Sequence, residues 1–291
     1  MTGFTPDTLW QAWNWDIPVV TALMFSLWLY NRGLIILWRR LGFGRGVTYW
    51  QFGAFIGALL VIAAALISPL EALGHVLFSA HMAQHMLLII VASPLLAVSG
   101  FQNAFLAALP RTLQSGLGRR WRKSESLHSL WHFMTRPVAT WIIGISVIWL
   151  WHLPTLYQLA LQNDAIHVAE HLLFLFASML FWWTLLKPAQ QKYISYGVHV
   201  IYLFLATLQG TALGALLIFS SVPWYEAYVN TAPLWHLTPL QDQQLAGIIM
   251  WLPGGLLYLA AVLLFFIYWL KALDTRMGQV HHEHVELAGG K

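Results

Sequence analysis

The sequence predicts an all-α, polytopic membrane protein with seven transmembrane helices, its N-terminus outside and its C-terminus inside. Three observations carry that expectation. Hydrophobic residues fill 59% of the 291 positions and charged residues only 9%, against roughly 25% charged in a soluble domain. Seven apolar stretches approach the roughly 20 residues that cross a bilayer. All fifteen lysines and arginines fall in alternate connections between those stretches.

The expected spans are 17–38, 48–67, 75–98, 137–158, 165–186, 197–220 and 245–270. Residues 1–291 read as one transmembrane domain, with 272–291 a flexible cytoplasmic tail. The first span follows the tryptophans Trp10, Trp13 and Trp15, the kind of residue that sits at a membrane interface. It reads as a span rather than a cleaved leader, because no charged segment precedes it and no cleavage site follows it. The second and sixth carry the small-residue pairs Gly53/Gly57 and Gly210/Gly214, a spacing that lets helices approach closely. Pro69, Pro94, Pro154 and Pro253 fall within or at the ends of spans and read as kinks. The stretch 101–118, FQNAFLAALPRTLQSGLG, is too broken to cross and reads as an amphipathic surface segment.

Charge sets the orientation. Arg32, Arg39, Arg40 and Arg45 lie at the end of span 1, and Arg111, Arg119, Arg120, Arg122, Lys123 and Arg136 between spans 3 and 4. Lys187 and Lys192 separate spans 5 and 6, and Lys271, Arg276 and Lys291 follow span 7. The opposite connections carry only acids: Asp7, Asp16, Glu71, Asp164, Glu226 and Asp242. Basic loops stay in the cytoplasm. The isoelectric point near 9.4 therefore reflects topology, and no nucleic-acid partner is expected. Cysteine is absent, which excludes disulfides, thiolate metal sites and cysteine nucleophiles.

Ionisable side chains inside a span mark functional sites by default. Two histidine pairs lie there at i,i+4 spacing, His81/His85 and His167/His171, so each pair projects from one helix face. From a span start near His75, His81 lies roughly 9 Å deep and His85 roughly 15 Å. His152 lies about one or two turns below the outer end of span 4, in the same outer layer. Glu170 can orient a ligating ring. Met82 and Met86 lie one step around span 3, as plain packing or as thioether ligands that favour Cu(I). His75, His236 and Asp242 are outlying candidates that could cap the layer. His128 and His132 read as surface residues, and His199 lies far from the outer layer. The tail His281-His282-Glu283-His284 reads as flexible and polar, or as a cytoplasmic chelator. Neutral imidazole binds copper, zinc, iron and nickel. The segment 167–171 also matches H-x-x-E-H, an inverted zinc-protease motif, and histidines on facing spans can ligate haem.

Three segments then resemble the CtaG-type cytochrome c oxidase assembly factors. They are HMAQHMLLIIVASPLLAVSG (81–100), WHLPTLYQLALQNDAIHVAEHLLFLFASMLFWW (151–183) and DQQLAGIIMWLPGG (242–255). The second carries Trp151, His152, Pro154, Tyr157, His167, Glu170 and His171, and the third Asp242, Gln243, Gly247, Met250 and Trp251. The likeness runs from about residue 10 to about 272. It implies a multi-pass protein of the bacterial inner membrane that is needed to make active haem-copper oxidase, with copper handling a common proposal. The expected partners are oxidase subunits, a periplasmic copper donor and membrane lipids.

The expectation is thus a non-enzymatic assembly factor that binds or delivers copper through His81, His85, His152, His167 and His171. The alternatives are a membrane zinc hydrolase using Glu170, a haem-binding redox protein, and a metal-free scaffold.

Overall fold

The computed structural model describes residues 6–186 and 196–289, with side chains over 8–186 and 197–271. Lys187 and Lys192, and the side chains of His281, His282, Glu283 and His284, lie outside the described residues. Among the described residues every regular element is helical. In chain order these are α1 (Ile17–Leu41), α2 (Tyr49–Leu66), α3 (Pro69–Gly74), α4 (Phe78–Val98), α5 (Phe101–Ala108) and α6 (Arg111–Lys123). They continue with α7 (Glu125–Met134), α8 (Pro137–Trp151), α9 (Pro154–Gln162), α10 (Asp164–Leu186), α11 (Tyr196–Phe219) and α12 (Pro239–Gly289).

Six of these, α1, α2, α4, α10, α11 and α12, are long and apolar enough to cross a membrane. The remaining expected span, the fourth, qualifies only as a bent pair, α7 and α8, meeting at 69°. Its far end also differs from expectation. Helix α8 stops at Trp151 and α9 begins at Pro154. A proline ring clashes with the preceding turn and pushes the residue before it to extended backbone. Leu153 accordingly lies at φ −66°, ψ 128°. The last helix runs on through Gly289.

The third span starts later than its hydropathy implies. Pro69–Gly74 forms its own short helix, and α4 begins only at Phe78. The cause is a carboxylate from elsewhere. Asp242, buried at the start of α12, accepts hydrogen bonds from the backbone N–H groups of Phe78 (2.7 Å) and Ser79 (3.0 Å). Those are orphan donors at a helix start, where negative charge is favoured. Lower down, α4 widens to a π-helical turn over Leu87–Ala92. Pro94 removes an N–H from the regular ladder. The shifted carbonyls find side chains: Ser93 Oγ donates to Leu88 O (2.7 Å) and Trp182 Nε1 to Ile89 O (3.1 Å).

Segment 101–118 divides. Its first part, α5, buries Ala104 and Ala108 against α1, whereas α6 has no buried residue and matches the expected surface helix. Of the small-residue pairs, only Gly214 sits at a tight crossing. A Cβ there would lie 3.1 Å from Gly247 O, and one on Gly247 would lie 2.8 Å from Gly214 O. Backbone therefore meets backbone where α11 crosses α12. The starts of α4, α10 and α12 gather at one end of the bundle with the ends of α2, α8 and α11. Thr231 Oγ1 donates to Val76 O (2.7 Å) and Tyr225 OH to His152 O (2.8 Å) across that end.

Candidate metal centre

The two histidine pairs face each other. Helix α4 presents His81 and His85 on one face, their ring centroids 4.3 Å apart, and α10 presents His167 and His171 at the same separation. Across the helix contact, His81 lies 5.4 Å from His167 and 5.9 Å from His171, and His85 lies 5.2 Å from His171. Since α4 starts at Phe78, His81 stands in its first turn, about 4.5 Å along the axis. The pair is thus nearer the bundle end than a span beginning at His75 implies.

Glu170 belongs to the same pocket. Its Oε2 is 3.9 Å from His81 Nε2 and its Oε1 is 3.8 Å from His85 Nε2. The carboxylate bridges the two rings of the opposite helix, although it neighbours His171 in sequence. This placement departs from the zinc-protease pattern, where such a glutamate serves the metal held by its own two histidines.

The pocket is buried and many of its polar atoms are unpaired. His81, His85, Glu170 and His171 are all buried. Nε2 of His81, His85, His167 and His171, Nδ1 of His85 and both oxygens of Glu170 have no hydrogen-bond partner. Buried polar groups are ordinarily satisfied, and each exception requires an explanation. A bound cation supplies one. The ligand atoms of His81, His167 and His171 lie within 4.8 Å of one another, as do those of His81, His85 and Glu170. Ligands on one ion stand at most about 4 Å apart, twice a metal–nitrogen bond of about 2.0–2.1 Å. Small ring rotations close that gap, so the donor set fits a metal.

A second group lies at the rim. His75, between α3 and α4, has its Nε2 3.3 Å from Glu71 Oε1, and its ring is 5.6 Å from that of His167. The hydrogen bond to Glu71 raises the His75 pKa, against the opposing effect of burial. Burial would raise the Glu71 carboxyl, but the bond to His75 and the nearby imidazoles hold it below its ordinary value. Glu71 also accepts from Gln84 Nε2, which donates as well to Ala65 O at 2.8 Å. Gly74 makes room for this, since a Cβ there would lie 2.2 Å from Gln84 Oε1.

The remaining predicted residues separate. His152 is buried but stands behind Met82: its Nδ1 meets Ile148 O at 2.7 Å and its Nε2 meets Met82 Sδ at 3.3 Å. It is outside both ligand groups. Met82 is fully buried and does not face lipid. With Met86, His85, His152 and Met250 it lines a small cavity on the far side of the pocket. Asp242 has both oxygens engaged by the backbone of α4 and caps that helix. His236 is exposed, in a left-handed turn (φ 59°) after a 3₁₀ segment, and belongs to neither ligand group.

Glu71 and Gln84 were absent from the predicted site. Glu71–His75 has i,i+4 spacing, which was a usable signal, whereas nothing in the sequence ties Gln84 to Glu71. Tyr157 enters as well. Its ring packs 5.3 Å from His81, and its hydroxyl meets that of Tyr228 at 2.6 Å, while Tyr228 donates to Gly74 O at 3.0 Å.

Two uncharacterized mycobacterial proteins, one from Mycobacterium bovis and one from Mycobacterium tuberculosis, are each 25% identical to this chain over 286 residues. The alignments cover 94% of the chain but 42% of each relative, so the chain spans about two fifths of the length of these proteins. No solved structure matches the chain. A sequence profile for the cytochrome c oxidase caa3 assembly factors matches residues 28–272, and the chain belongs to that family (Caa3_CtaG).

Proposed function

We propose that this chain assists assembly of a haem-copper oxidase in a bacterial inner membrane by holding copper between α4 and α10. The histidine end of the bundle then faces the periplasm, as the placement of the basic residues requires. His81, His85, His167 and His171 are the ligands, and Glu170 balances the ion's charge and fixes the rings of α4. Met82 and His152 lie behind the ligand set, beside a small cavity that His85 also lines.

One observation carries the reading. Four imidazole Nε2 atoms and a carboxylate converge from two helices, buried and without a hydrogen-bond partner. Leaving them so is costly unless something occupies the space between them. Copper is the ion that oxidase assembly requires, and neutral imidazole is a suitable ligand for it. Copper is cargo here, received from a periplasmic donor and passed to oxidase subunits by ligand exchange. The role requires no bond-making catalysis.

The test is elemental analysis and anaerobic Cu(I) titration of the purified protein beside a His81/His85/His167/His171 quadruple alanine variant. Wild type is expected to bind copper and the variant to lose it, together with oxidase maturation in cells. A Soret band in the purified protein would replace the reading with haem. Intact oxidase maturation by the quadruple variant would reduce the chain to a scaffold.

A further inference from the structure

The rim group and the buried group are joined. Glu71, His75 and His167 offer ligand atoms within 4.8 Å of one another, and so do His81, His167 and His171. His167 belongs to both. Its ring stands 5.6 Å from His75 on one side and 5.4 Å from His81 on the other.

The two groups differ in access. At the rim the His75 side chain is 45% exposed above a buried Glu71, while His81 and His171 are both buried. They also differ in donor type. The rim offers a carboxylate, suited to an ion arriving hydrated, whereas the buried trio is imidazole alone. Glu71 is not merely the partner of its neighbour His75. Gln84 of α4 bonds it, and Gln84 is itself tied to α2 through Ala65 O. The rim carboxylate is therefore fixed relative to α4, the helix that carries the buried ligands.

We propose that Glu71, His75 and His167 form a rim loading site, reached from solvent at His75, that hands a copper ion to His81 and His171, with His167 as the ligand common to both. The inference rests on the copper reading above. Stripping an ion of water before it meets its ligands is prohibitive at a buried site. A shared ligand avoids that state. His167 keeps its bond while Glu71 and His75 are exchanged for His81 and His171, and the ion remains coordinated throughout. No change of oxidation state is involved.

The bland alternative is that Glu71 and His75 form a surface ion pair at i,i+4 spacing. The choice of substitution separates the two. His75→Lys keeps a cation opposite Glu71 but removes the ligand nitrogen. His75→Ala removes both.

The experiment follows anaerobic Cu(I) loading of the full chain in detergent, reading both final stoichiometry and rate. We expect His75→Ala and His75→Lys to reach wild-type stoichiometry but to load about tenfold more slowly, the lower end of what losing one supporting residue costs a metal site. Wild-type loading by His75→Lys with slow loading by His75→Ala would identify an ion pair and overturn the proposal. Wild-type rates in both would overturn it too. A second arm does not depend on rate. His81→Ala/His85→Ala should retain Cu(I) that an added chelator removes quickly, and adding Glu71→Gln should abolish that binding. Complete loss of binding in the double variant would sink the loading site while leaving the buried site standing. Absence of copper in the wild type would instead sink the parent reading.

Discussion

The two halves of the bundle differ in how their buried polar atoms are partnered. In the half away from the histidines, aromatic packing dominates and most polar tips are bonded, Trp141 Nε1 and Gln102 Oε1 excepted. Tyr30 stacks on Phe55 at 3.8 Å and donates to Ser99 O at 2.9 Å. Phe181 stacks on Tyr202 at 4.5 Å, whose hydroxyl meets Thr140 Oγ1 at 2.8 Å. Trp182 Nε1 reaches the Ile89 carbonyl freed by the π turn. At the histidine end, imidazole nitrogens and a carboxylate of equal burial have no such partners. The first half is built for stability. The second leaves buried donors and acceptors unpaired, at a cost in stability.

That contrast breaks if substitutions in the two halves behave alike. The largest separation is expected for Glu170→Leu. Copper affinity should fall about 100-fold, the upper end for a residue that orients ligands. The metal-free protein should become more stable by about 1–3 kcal/mol, because an unsatisfied buried acceptor is gone. Thermal unfolding in detergent, with and without copper, reads both effects, and a destabilised metal-free variant would contradict the comparison. Next comes Asp242→Asn, which weakens the cap of α4 and with it the placement of His81. A loss of about 1–3 kcal/mol is expected, because the Asn NH2 leaves one of the two buried N–H donors without an acceptor, with a smaller loss of copper affinity measured by competition titration. The smallest effect belongs to Tyr30→Phe. It should cost about 0.5–1.5 kcal/mol through the lost bond to Ser99 and leave copper binding unchanged. A change in copper affinity here would mean the two halves are coupled.

Much of the site was legible because helical periodicity places i and i+4 on one face. The pairs His81/His85 and His167/His171 could be read as two faces without knowing that they meet. The spans were legible from hydropathy, except where proline intervened. Pro154 cut the fourth, and the capping of Phe78 and Ser79 by Asp242 moved the start of the third. That cap joins residues 164 positions apart, so no local pattern announces it. For the same reason Asp242 and His236 looked equivalent in sequence, as polar residues before the last span, yet one is buried and the other exposed.

By itself, the sequence determined an all-helical membrane chain with two helix faces that each carry a histidine pair, since composition and periodicity are local properties of each segment. The tertiary structure alone decided which faces meet. It set Glu170 against the histidines of the opposite helix, moved His152 behind Met82, and brought Glu71 to His167 through Gln84. Those outcomes depend on how helices pack across the bundle, where small residues and a distant carboxylate fix the register, and such contacts are not written in the spacing of any one helix.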